Sequence, residues 1–79
     1  MKRFYVQAEW DQEAGVWVAT SEDIPGLVTE AETAEALEAK LRVMIPELLI
    51  ENGMLSEEEK HSPIPFHLRA DRESCAQSS

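Results

Sequence analysis

The apolar residues of this chain change their spacing once and later change it back, which restricts the fold more than any other feature. From Phe4 to Trp10 they alternate. Phe4, Val6, Ala8 and Trp10 fall on one side and Tyr5, Gln7 and Glu9 on the other, the period-2 mark of a strand. Between Ala34 and Leu48 the period becomes 3.6, and Ala34, Leu37, Leu41, Met44, Ile45 and Leu48 form the stripe of an amphipathic helix. Alternation returns in Ile64, Phe66, Leu68 and Ala70, with Pro65, His67 and Arg69 between them. The chain therefore builds a sheet with one helix.

Turn chemistry divides the first part further. Asp11 to Gly15 is polar and ends in glycine, and the β-branched and aromatic run Val16 to Thr20 follows it, so an antiparallel hairpin is predicted. Pro25 presets φ and Gly26 permits a positive φ next to it, which predicts a type II turn before a short third strand, Leu27 to Ala31. Thr33 is placed to cap the helix, with Glu32 and Glu35 near the positive end of its dipole. Glu38 and Arg42 have the spacing of an i,i+4 pair. Asn52-Gly53 is a stop signal that brings Met54 against Leu49. Pro46 removes a backbone donor and crowds the carbonyl of Arg42, predicting a kink or a restart. Ser56 and Glu59 have capping-box spacing for a single acidic turn.

Strands are thus expected over residues 3–10, 16–21, 27–31 and 64–70, and a helix over 34–52. A right-handed crossover then brings the last strand parallel beside the first, giving an α+β fold of order β-β-β-α-β. Three strands form an antiparallel meander, the fourth is parallel, and one helix packs on one face. Residues 1–70 form the single domain and residues 71–79 a disordered tail. The predicted core is Phe4, Val6, Val18, Leu37, Leu41, Ile45, Leu48, Phe66 and Leu68. A single helix covers one face of a sheet, so the other is the expected interaction surface. Tyr5, Trp17, Ala19 and His67 are assigned to it as an oligomer interface, because large apolar patches are rare on monomers. Trp17 has the opposite parity from Val16 and Val18, which leaves it divided between core and interface.

A chain of 79 residues buries about 60 to 65% of its unfolded surface, enough for one compact core. An apolar share of 43% separates it from disordered sequences. Sixteen acidic against seven basic residues give a net charge of −9, which repels phosphates and anionic membranes and attracts basic surfaces. A basic partner and a merely solubilising surface both fit that charge. The lone Cys75 rules out an intrachain disulfide or a thiolate metal cluster. Lys2 and Arg3 are followed by Gln7 and Glu9, which interrupt any signal-peptide apolar run. A cytoplasmic protein is expected.

Catalytic constellations do not assemble. A two-metal nuclease needs carboxylates gathered at strand ends, whereas Asp11 and Asp23 lie in turns and Asp71 in the tail. His61 and His67 have no serine or cysteine partner in a recognisable set, and no Gly-rich phosphate loop is present. Trp10 and Trp17 lack the basic groove that accompanies stacking of nucleic-acid bases. No enzyme activity and no cofactor is expected. Glu22, Asp23, Glu30, Glu32 and Glu35 gather in sequence around the Pro-Gly turn, the third strand and the helix entry. They are the candidate contacts to Lys, Arg or His on a partner, although solvation and helix-end electrostatics also account for them.

The tract Val16-Trp17-Val18-Ala19-Thr20-Ser21-Glu22-Asp23-Ile24-Pro25-Gly26-Leu27 and the helix entry Glu30-Ala31-Glu32-Thr33 resemble the HicB antitoxin family, in a short branch described as a domain of unknown function. The resemblance covers roughly residues 4–53. It departs at Ala31, where that family often has glycine, and in lacking a C-terminal DNA-binding module. It implies a partial ribonuclease-H-like fold, dimeric or tetrameric, that neutralises a small basic HicA-type mRNA-cleaving toxin by masking its active face. The alternative is a stand-alone homo-oligomeric structural or adaptor protein without a toxin partner.

Overall fold

The structure is a computed structural model and describes residues 3–72 and 76. Strands β1 (Phe4–Asp11), β2 (Val16–Thr20) and β3 (Val28–Ala31) precede helix α1 (Ala34–Glu51), a 3₁₀ turn (Glu59–His61) and strand β4 (Phe66–Asp71). The sheet order is β3-β2-β1-β4, with β1 antiparallel to β2, β2 antiparallel to β3, and β4 parallel to β1. This is the expected α+β meander with a parallel fourth strand. Among the described residues no helix is long and apolar enough to cross a membrane.

Local chemistry sets each boundary. Asp11 Oδ1 accepts from the backbone N–H groups of Glu13 and Ala14, both at 3.1 Å, and Gly15 takes φ +69° to close the β1–β2 hairpin. Leu27 N–H donates to the Ile24 carbonyl at 3.2 Å with Gly26 at φ +84°, the type II turn predicted from Pro25-Gly26. Thr33 Oγ1 caps α1 by accepting from Ala36 N–H at 3.0 Å. At the other end Gly53 donates to Ile50 and Met54 to Leu49, both through backbone groups, with Gly53 at φ +70° in a Schellman motif. Ser56 and Glu59 bond each other's backbone N–H groups at 3.2 Å, a complete capping box that leads into the 3₁₀ turn. Arg42 pairs with Glu38 at 2.9 Å on the exposed side of the helix.

Helix α1 runs unbroken through Pro46, so of the kink or restart expected there, the restart does not occur. Its fully buried residues are Leu37, Leu41, Ile45 and Leu49. Leu48, expected in the core, is half-buried and Leu49 holds that place. The core is completed by Phe4, Val6, Ala8, Ala19, Ile24, Leu27 and Ala31, and burying each large aliphatic side chain contributes about 1.5 to 3 kcal/mol. Phe66 and Leu68 are half-buried and pack against this core from its rim.

Two further expectations are corrected. Asp71 is the last residue of β4, and the guanidinium of Arg72 lies 4.2 Å from the centre of the Trp10 ring. Strand β4 therefore ends one residue beyond the expected end at residue 70. Apart from Ala76, the rest of the tail expected to be disordered, with Cys75, lies outside the described residues. Val18, expected in the core, is on the face away from the helix, because β1 and β2 pair Trp10 with Trp17 and Ala8 with Ala19.

Candidate functional site: the open face of the sheet

Residues directly opposite in neighbouring strands share a face, so the registers define the side that α1 leaves uncovered. Its first row is Tyr5 beside His67, with ring centres 5.1 Å apart and planes at 21°. The next row runs Val28, Thr20, Gln7, Arg69 across β3, β2, β1 and β4. The third runs Glu30, Val18, Glu9, Asp71 in the same order, and Val16 beside Asp11 ends the face. Tyr5 and Val28 are prominently exposed, at 46% and 66%.

The third row places three carboxylates around one valine. Neighbouring strands lie about 4.8 Å apart, so Glu9 and Asp71 are adjacent while Glu30 stands two strands from Glu9. That spread suits separate cationic groups of a partner better than one metal ion. Among the described residues no three His, Cys, Asp or Glu side chains form a metal-binding group. Glu9 and Asp71 had not been singled out from the sequence. Their alternation with apolar residues marks them as solvent-facing, but alignment with Glu30 depends on pairings between distant segments.

Of the five acidic residues singled out from the sequence, Glu22 and Asp23 follow β2 at one end of the sheet. Glu30, Glu32 and Glu35 lie at the other end, around the exit of β3 and the start of α1. The structure therefore splits the group in two, because β2 and β3 run antiparallel. Glu22, Glu30, Glu32 and Glu35 are exposed, and Asp23 is half-buried. Asp23 is committed to the fold: its Oδ2 accepts from Tyr5 N–H at 2.8 Å and its own N–H donates to Ser21 Oγ at 3.1 Å. Tyr5, Gln7, Thr20, Glu22, Asp23 and Arg69 line a shallow cleft of about 380 Å³ at this end of the open face.

The proposed interface residues also divide. Tyr5 and His67 are exposed on the open face. Trp17 and Ala19 are on the helix side, correcting their assignment to the same face as Tyr5. Ala19 is 0% exposed, and Trp17 is half-buried with its ring edge-on to Trp10 at 5.4 Å and 67°. Every residue from Val16 to Ala19 is apolar, so the sequence of β2 carries no alternation to reveal its faces.

The chain belongs to the family described as a domain of unknown function, DUF1902, which matches over residues 3–78. It is 49% identical to a hypothetical protein of known crystal structure, TTHA1013 from the extremely thermophilic bacterium Thermus thermophilus. That similarity covers 98% of this chain and 100% of the other, with a TM-score of 0.69. Comparison with curated proteins finds no match.

Proposed function

We propose that this chain is a HicB-type antitoxin domain, a cytoplasmic, non-enzymatic protein that binds a small basic mRNA-cleaving toxin and covers its RNA-binding surface. The observation that carries this reading is the sheet face left bare by α1, with Glu30, Glu9 and Asp71 in one row and Val18 between them. Such a face offers apolar contact together with fixed negative charge. A ribonuclease surface needs positive charge to hold phosphates, and carboxylates standing where phosphates would lie occupy it without being cleaved. Glu32 and Glu35 extend the negative field beyond the Glu30 end of the row, and Glu22 stands apart from it, at the far end of the sheet along the strands. The resemblance of residues 4–53 to HicB antitoxins supports the same reading. No cofactor is required, since inhibition is steric and electrostatic.

The reading predicts a small basic protein encoded beside this chain, and the test uses that protein. Calorimetric titration should give a saturable complex with the wild-type domain. Glu9→Lys together with Glu30→Lys should weaken it at least tenfold while leaving the circular dichroism spectrum unchanged. Absence of heat and of co-elution with the wild-type domain would reject the reading.

A further inference from the structure

We infer that a second copy of this chain pairs with the free edge of β4, antiparallel about a twofold axis at Ala70, to join two four-stranded sheets into one of eight strands. The two edges of the sheet are differently guarded. The β3 edge is four residues long, and the Lys40 ammonium reaches back from α1 to donate to the Glu30 carbonyl at 2.6 Å. A short edge covered by a lysine is a usual defence against strand addition.

At the other edge β4 offers six residues without a proline. It pairs with β1 on one side, and no described strand pairs with the other. Pro63 and Pro65 precede it and confine further pairing to Phe66 onward. The strand also carries Arg69 next to Asp71, with Arg72 following, so here the repulsion expected between two chains of charge −9 is locally offset.

Charge chooses the register. A twofold axis perpendicular to the sheet keeps open-face residues on the open face, so His67, Arg69 and Asp71 meet one another across it. With the axis at Ala70, Arg69 stands opposite the partner's Asp71 and Asp71 opposite the partner's Arg69, giving two opposite-charge pairs. An axis at Arg69 sets two arginines face to face, and one at Asp71 sets two aspartates, arrangements that directly opposed like charges disfavour. An axis at Leu68 faces His67 with the partner's Arg69 and makes no opposite-charge pair. The contact is isologous and closes at two copies, and it leaves both open faces on the same side. It does not depend on the antitoxin reading, and its test needs no toxin.

Sedimentation equilibrium at tens of micromolar should give twice the 8.9 kDa chain mass. Arg69→Asp and Asp71→Arg should each halve that mass, and the variant carrying both changes should restore the dimer. Amide exchange across β4 should slow as wild-type concentration rises, which decides the matter even if a single variant fails to fold. A monomeric wild type, a dimer that folded Arg69→Asp leaves intact, a folded double variant that stays monomeric, or β4 exchange independent of concentration overturns the proposal.

Discussion

Asp23 holds the start of β1 from across the sheet end, its carboxylate accepting the Tyr5 backbone N–H at 2.8 Å while the Ser21 hydroxyl donates to the Tyr5 carbonyl at 2.6 Å. The segment after β2 thereby supplies the partners that a neighbouring strand would otherwise give to Tyr5. Asp23→Ala is expected to destabilise the domain by about 1 to 2 kcal/mol, since it leaves a donor unpaired. Asp23→Asn, which retains an acceptor, should lose less. Urea unfolding checks both, and equal stability of Asp23→Ala and wild type would show the bond to be incidental.

Gly26 tests the turn that follows. Its φ is +84°, and an added Cβ would lie 3.8 Å from Leu48 Cδ2, an ordinary contact. Backbone conformation rather than space therefore sets the cost, and Gly26→Ala should lose about 1 to 2 kcal/mol. Gly26→Asn should lose less than Gly26→Ala. Thermal unfolding of the two variants distinguishes conformational strain from crowding, because crowding would make asparagine the worse of the two.

Trp17 belongs with the fold. Its edge contact with Trp10 on the helix side predicts that Trp17→Ala costs about 2 to 4 kcal/mol of stability, somewhat less than a fully buried tryptophan would. The mass of the folded variant in sedimentation should equal that of wild type. A variant of unchanged stability but altered mass would return Trp17 to an interface.

The parts legible in the sequence were those governed by nearby residues. The order of elements, the Thr33 cap, the Gly53 stop, the Ser56–Glu59 box and the Pro25-Gly26 turn each follow from a few adjacent side chains. The apolar run Val16 to Ala19 hides the faces of β2, so the sequence puts Val18 inside and Ala19 outside, whereas pairing with β1 places them the other way. Ile24 and Leu27 lie in and beside a turn that periodicity does not describe. That turn is fastened to the end of α1 by Asn52 Nδ2, which donates to the Pro25 carbonyl at 3.1 Å, and it buries both Ile24 and Leu27. The acidic row on the open face escaped for the same reason as Ala19, being a product of register among three pairs of strands.

Association with a basic partner should be steered by charge. Raising salt from about 10 mM to about 150 mM shortens the screening length from about 30 Å to about 8 Å. The on-rate should fall at least tenfold over that range and the off-rate change little. Stopped-flow mixing reads the two separately, and an on-rate indifferent to salt would remove the acidic face from the recognition step.

The most direct measurement is RNA cleavage by the small basic protein that the proposed function requires as a partner, followed as this chain is added. Cleavage should decline in proportion and cease near one domain per toxin molecule, and Glu9→Lys with Glu30→Lys should require a large excess for the same effect. Cleavage that continues unchanged at stoichiometric excess of the wild-type chain would contradict the antitoxin account and favour a stand-alone oligomer.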